Sequence, residues 1–316
     1  MDRREFVLTT GAGIVGGALA QGLAGKAFAG EDGGMKLPGL HLFSKHLQFL
    51  DYPAMAKAAA ELGFAGLDLT VRPGGHVEPD NFARDLPVAI GAIGDAGLTC
   101  EMMASGITGT DNQRDYDLLA MAASLGVQRY RLGNLRYDKD VPLADSVEMH
   151  RERLTALAEW NREIGITGLV QNHSGDARFG AAVWDAVSVL KDLDPDHLGM
   201  QFDIRHATTD GGLMWPTTFR LARPYIRSII FKDFKWGVVE GEWKLINTPM
   251  GEGMVDWPRY FRMLKDEGLD YSVSLHCEYE LGGANRGRRE LTIPESEVLA
   301  AIGRDVEMIK AAWKEA

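Results

Sequence analysis

Residues 66–102 read GLDLTVRPGGHVEPDNFARDLPVAIGAIGDAGLTCEM, and this stretch decides the fold. Gly66–Val71 is a short apolar run of the kind that forms a buried strand. A polar, glycine-paired turn follows, and Asp80–Ala96 then carries a helical pattern. Gly97 stands where a helix closes in the left-handed conformation, which glycine adopts at little cost. Leu98–Met102 is the next apolar run. The unit is therefore strand, helix, glycine, strand.

Outward from there the unit recurs. Apolar runs at Leu40–Phe43, Gln128–Leu132, Thr167–Gln171, Leu198–Phe202, Ser228–Phe231 and Ser272–Leu275 bring the strand candidates to eight. Between them lie helical patterns at Pro53–Leu62, Arg114–Leu125, Leu143–Ile164, Ala181–Leu190, Trp215–Arg220 and Trp257–Glu267. Gly63, Gly126, Gly165 and Gly268 repeat the role of Gly97. Eight such units predict a single (β/α)8 TIM barrel over residues 36–316. A doubly wound open sheet is the alternative. The dinucleotide fingerprint that would support it is missing, because Gly11-Ala12-Gly13 follows no strand.

The first 29 residues are set apart from the barrel. Arg3-Arg4 precedes a weakly apolar, Gly/Ala-rich stretch that ends in Ala27-Phe28-Ala29. This is the form of a twin-arginine export signal, and it predicts an exported, periplasmic protein. No later segment approaches the ~18 uninterrupted apolar residues of a membrane span, so no stable membrane anchor is expected. A net charge of −11 argues against nucleic acid as a partner. The two cysteines, Cys100 and Cys277, sit in apolar runs and read as core residues. Oligomeric state is not legible.

In a barrel of this kind the chemistry sits beyond the C-terminal ends of the strands. The polar residues at those ends are numerous. They are Ser44 and Lys45; Asp68, Arg72 and His76; Glu101; Arg131 and Arg136; Gln171, Asn172 and His173; Asp203, Arg205 and His206; Lys232 and Asp233; His276 and Glu278. Clustered charges are costly unless paired or bound to something. Asp203 and His206 fall within one turn, a spacing that suits a metal half-site.

Five segments carry a resemblance. Gln171-Asn172-His173-Ser174-Gly175 is similar to an E-N-H-x-G strand end, and Phe202–Ala207 to a D-x-x-H-A segment. Ile230–Asp233 is similar to H-x-K-D, Pro249–Gly253 to P-x-G-x-G, and Glu278 to a final glutamate. From Leu40 onward the chain resembles the sugar phosphate isomerase/epimerase family of xylose isomerase-like barrels. That resemblance implies a carbohydrate substrate and a divalent ion held by Glu, Asp, His and Glu from strands 5 to 8. It also implies two glutamates that move protons on opposite faces of the sugar.

Two positions depart from the pattern, Gln171 for the first glutamate and Ile230 for the histidine. Gln171 offers an amide oxygen but accepts no proton near neutral pH. A metal, Mn²⁺ or Zn²⁺, would rest on Asp203, Glu278 and His206 with Gln171 as a weak fourth ligand. Without one, Glu278, His206, His173 and Lys232 are the catalytic candidates, with Lys232 either an electrophile or an internal partner of Asp233. Lys45, Arg72, His76 and Arg205 suit binding of a hydroxyl-rich or anionic small molecule. Trp215, Trp236 and Trp243 on later loops suit stacking on a sugar face.

One carboxylate base with an imidazole acid fits isomerisation, elimination or hydration of a keto-sugar, with a pH–rate limb near ~6–7. Two other classes compete. One is a sugar-binding protein without catalysis on a degenerate metal site. The other is an apurinic-site nuclease, which the acidic charge and the scarcity of early histidines oppose.

Overall fold

Each apolar run becomes a strand paired in parallel with the next. The computed structural model describes residues 35–269 and 271–316. The export signal expected at residues 1–29 lies outside them. In chain order the strands are β1 (Leu40–Phe43), β2 (Gly66–Val71), β3 (Thr99–Ser105), β4 (Arg129–Arg131), β5 (Thr167–Gln171), β6 (Leu198–Asp203), β7 (Ile226–Phe231), β8 (Asp233–Val239), β9 (Glu242–Thr248) and β10 (Val273–Leu275). β1 to β7 and β10 close in the order β1-β10-β7-β6-β5-β4-β3-β2, every pair parallel. The fold is a single eight-stranded (β/α)8 TIM barrel.

The helices are α1 (Tyr52–Glu61), α2 (Phe82–Asp95), α3 (Gln113–Ser124), α4 (Leu143–Ile164), α5 (Trp184–Leu190), α6 (Ile204–Gly211), α7 (Trp215–Ala222), α8 (Trp257–Asp266) and α9 (Glu295–Glu315). Gly63, Gly97, Gly126, Gly165 and Gly268 all have positive φ, between 61° and 94°. The punctuation read from the sequence is thus the punctuation of the chain. Among the described residues no helix is long and apolar enough to cross a membrane. Cys100 and Cys277 are buried, and neither is in a disulfide.

Helix α8 shows how the outer ring fixes the mouth. The Asp256 carboxylate accepts from the Arg259 amide at the helix start, and Pro258 occupies the first turn. Trp257, Tyr260, Phe261 and Leu264 fall at i, i+3, i+4 and i+7 and form the buried face. Their rings meet Phe231 of β7 at centroid distances of 5.4, 6.3 and 5.3 Å for Trp257, Tyr260 and Phe261. Because Phe231 points outward to this helix, its neighbours Ile230 and Lys232 point into the barrel.

The sequence reading departs from the structure in three places. β3 runs on to Ser105, so Glu101 lies at the opposite, N-terminal end of the barrel. There it accepts from Ser272 Oγ at 2.6 Å and faces Arg129 at 3.8 Å. Helix α5 begins at Trp184 rather than Ala181. Between β7 and α8 the chain forms an antiparallel hairpin, β8–β9, where loops carrying Trp236 and Trp243 were expected. Its two-residue turn, Glu240-Gly241, has φ of 54° and 81°. Positive φ at both positions matches the right-handed twist of the strands it joins.

Candidate functional site

Lys232, one residue past the end of β7, is 2% exposed. Its ammonium lies 2.8 Å from His206 Nε2, 3.1 Å from Asp203 Oδ2 and 3.2 Å from Glu278 Oε2. The ammonium donates to His206 and to Glu278, and it forms a close ion pair with Asp203. On its other side, His206 Nδ1 lies 2.7 Å from Ser174 Oγ and 2.9 Å from Arg205 Nη1. Lys232 does not pair with Asp233. Alternation along the chain turns the Asp233 carboxylate outward, where it accepts from the backbone amides of Gly251, Gly253 and Val255 and from Trp257 Nε1. A side chain at Gly253 would run into that carboxylate, which accounts for a glycine there.

Asp203 ends β6 and is fully buried. Its Oδ1 caps α6 through the His206 amide at 3.1 Å, and its Oδ2 accepts from Gln171 Nε2 at 2.9 Å and is ion-paired with Lys232. Asn172 pins the same strand end, bonding both backbone groups of Asp203 at 2.8 and 2.9 Å. Gln171 Oε1 accepts from Arg131 Nη1 at 2.8 Å. Arginine only donates and a carboxylate only accepts, so the orientation of the amide is fixed between them.

Glu278 is the one carboxylate of this group open to solvent, at 24% side-chain exposure against 0% for Asp203. Its Oε1 accepts from Lys45 Nζ at 2.7 Å and its Oε2 from Lys232. Burial alone would raise its pKa. The Lys232 and Lys45 ammoniums outweigh burial and hold the carboxyl well below the usual range. His206 is held well below the ordinary imidazole value by burial and then by the Lys232 ammonium, and His173 is pushed down to about 4 by the same two causes. The two rings are in contact, with centroids 4.1 Å apart and planes tilted by 32°. Both imidazoles are therefore neutral at pH 7, and the activity limb expected near ~6–7 from an unperturbed histidine is displaced downward.

The binding candidates divide. Lys45 and Arg72 face the mouth, and together with Arg131 they surround the Phe43 ring at 5.4, 5.5 and 5.2 Å. Arg205, 5% exposed, is a strut instead. It donates to Ser174 Oγ at 3.1 Å and to Asn247 Oδ1 on β9 at 2.7 Å. Asn247 in turn donates to the Glu278 carbonyl at 3.1 Å. His76 is buried in a neutral cluster. Its Nδ1 lies 3.1 Å from Ser44 Oγ and 3.3 Å from Thr70 Oγ1, and its Nε2 lies 3.3 Å from the Leu47 carbonyl. Trp215 is buried at the start of α7, whereas Trp236 and Trp243 are 43% and 72% exposed on the hairpin. Ser174 and Asn247 were missed by sequence reasoning. The signal for Asn247 was the alternating pattern on either side of Glu240-Gly241.

The expected metal donors Asp203, Glu278 and His206 do converge, but on the Lys232 ammonium. Gln171 presents an N–H to the cluster rather than its oxygen, and Ile230 offers no donor. Among the described residues no group of three or more His, Cys, Asp and Glu side chains is arranged to hold a metal ion. The residues present do not fit a divalent ion.

A family model described as a xylose isomerase-like TIM barrel matches residues 56–302. No curated relative matches the sequence. Among solved structures, a D-psicose 3-epimerase from Clostridium cellulolyticum H10 with D-tagatose superposes with a TM-score of 0.64 at 14% identity, covering 88% of this chain and 99% of that one. A probable 3-DHS dehydratase from Bacillus anthracis gives 0.62 at 16% identity, covering 84% and 97%. A xylose isomerase-like barrel protein from Mycobacterium smegmatis in complex with magnesium gives 0.62 at 14% identity, covering 87% and 98%. At such identities the likeness is one of fold.

Proposed function

The chain belongs to the xylose isomerase-like TIM barrel family, and from that premise we propose that it is a carbohydrate enzyme that moves a proton next to a carbonyl. The reading is of an isomerase/epimerase or a lyase/hydratase acting on a keto-sugar. The observation that carries it is the Glu278 carboxylate, partly open at the mouth and held between two ammoniums while the charges around it are buried. The names of the similar structures, a ketose epimerase and a probable dehydratase, support the same range of reactions.

A base so well paired is weak at rest. Substrate oxygens that draw Lys45 away remove one of its two partners and raise its basicity. Glu278 then takes the proton from the carbon beside the carbonyl, and the C–H electron pair moves onto the carbonyl oxygen. Negative charge leaves the carboxylate and appears on that oxygen, where Lys45, already drawn to the substrate, and Lys232, held in place, meet it. Cations positioned before the charge develops need little reorganisation. Return of the proton to the former carbonyl carbon, with the neighbouring hydroxyl proton passing to the former carbonyl oxygen, gives isomerisation; expulsion of a neighbouring hydroxyl as water, protonated by the Glu278 carboxyl, gives elimination. His173, neutral, is placed to orient a hydroxyl rather than supply a proton, and His206, with both nitrogens engaged, holds Lys232.

The leader read in the sequence supports an exported, periplasmic enzyme, and with it a substrate without phosphate. The Arg3→Lys/Arg4→Lys double variant is expected to remain in the cytoplasm, and normal export of that variant would remove the twin-arginine reading. For the activity, the test is NMR of the purified protein with a panel of free and 3-keto sugars. Turnover that disappears in Glu278→Gln is expected. Binding of panel sugars without turnover of any of them would favour a sugar-binding role instead.

A further inference from the structure

The floor of the site raises a question of charge that is separate from the substrate. Asp203 and Glu278 bring two carboxylates within reach of one point, and His206 adds an imidazole nitrogen. Such a set ordinarily calls for a cation. We infer that the Lys232 ammonium is that cation, a permanent, chain-borne occupant of the place of a divalent ion, and that Gln171 and Ile230, the two departures from the pattern, make the site metal-independent.

Three independent observations support the inference. The first is distance. The contacts of 2.8, 3.1 and 3.2 Å are hydrogen-bond lengths, and the donors sit around the nitrogen at that spacing. Hard-metal ligands would have to close to about 2.0–2.2 Å of one centre. The second is the Gln171 amide. Arg131 takes its oxygen at 2.8 Å and leaves its N–H directed at Asp203 at 2.9 Å. A glutamate there would set a third carboxylate against the two already present. Arg131 would pair one of its oxygens, but the other would face Asp203 Oδ2 with no proton between them, so an amide N–H is what this contact requires.

The third is register. Asp203 is paired directly with Ile230 across β6 and β7. Ile230 is fully buried and brings no donor. Two residues further on, Lys232 is the next side chain on the same inward face, and its four-carbon stem places the charge between Asp203 and Glu278. The substitutions agree with one another. The carboxylate count falls by one, the neutral ligand is replaced by an apolar wall, and Lys232, which the pattern also carries, is left with its charge at the centre. Such a cation cannot be chelated, exchanged or lost on passage between compartments.

The proposal concerns resting charge at the site and is read by binding, so it stands or falls apart from the keto-sugar reading. The experiment is Mn²⁺ titration of the full chain, followed by electron paramagnetic resonance of the free ion, with elemental analysis of the protein as purified. The wild type is expected to carry no stoichiometric metal and to show no saturable site up to ~1 mM, the weak end of useful affinity. One tightly held equivalent of Mn²⁺, Zn²⁺ or Mg²⁺ would overturn the inference. The companion is the Lys232→Met/Gln171→Glu double variant, which removes the ammonium and restores a carboxylate. It is expected to bind Mn²⁺ at least ~10-fold more tightly than the wild type. If the double variant keeps its circular dichroism and still binds no better, the ammonium is not what occupies the metal's place. Should the double variant not fold, the wild-type titration alone decides.

Discussion

The two sides of the barrel mouth are built from different chemistry. On the side of β5, β6, β7 and β10, four ionised or ionisable groups meet at one point: Asp203, His206, Lys232 and Glu278. On the side of β1 and β2, Ser44, Thr70 and His76 bond one another and the Leu47 carbonyl, with no net charge and less than 10% exposure. Both sides are well satisfied, so burial and hydrogen bonding alone do not separate function from structure. What separates them is Glu278, a charged group left partly open, with Lys45 at the mouth as one of its partners. The Ser44–Thr70–His76 cluster has no group whose partner a ligand could take.

Replacing Lys232 should produce the largest stability effect. Lys232→Met leaves Asp203 buried and uncompensated, and breaking a buried pair in this way costs about 3–5 kcal/mol. Chemical denaturation measures it. A loss below about 1 kcal/mol would mean that the ammonium is not seated as described.

Asn247→Ala probes the link between the hairpin and the charged side. It removes the bonds to the Arg205 guanidinium and the Glu278 carbonyl. A hydrogen bond to a charged group is worth about 1.5–3 kcal/mol, so activity should fall roughly 10-fold or more through displacement of Glu278. Arg205→Lys keeps the charge but loses the forked geometry, and should fall by a smaller factor. Equal activity of Asn247→Ala and wild type would detach the hairpin from the site.

His76→Gln should give the smallest effect and a distinctive pH signature. Burial holds His76 down to about 4, below the ordinary imidazole value near 6.5. Between those values the unfolded chain binds a proton that the folded chain does not. The His76 contribution is therefore complete above about pH 6.5 and is lost as pH falls toward 4, by up to about 1.4 kcal/mol per pH unit. The glutamine variant should flatten that part of the profile, measured by denaturation at pH 7, 6 and 5, and should leave turnover unchanged. Loss of turnover would move His76 from structure to function.

The barrel was legible because its signals are local and repeated. A glycine after Leu62, Ala96, Leu125, Ile164 and Glu267 marks each helix end without reference to the rest of the chain. The hairpin was not read, because its alternating residues follow β7 after a single Lys232 and merge with that strand. Glu101 was placed at the wrong end because a strand's last residue depends on its neighbours' register. At the site, the residue types were legible but not their pairings. That Lys232 faces Asp203 and not the adjacent Asp233 follows from which way Phe231 turns, and that is set by helix α8, some thirty residues later in the chain.

The most direct test of the account is solvent deuterium exchange with a keto-sugar that the protein turns over. In D2O the wild type and His76→Gln should place deuterium on the carbon next to the carbonyl, and Glu278→Gln should not, with turnover reduced by about 10²–10⁴-fold. Exchange that persists in Glu278→Gln would contradict the account. So would turnover by the wild type with neither exchange nor a primary isotope effect from substrate deuterated at that carbon.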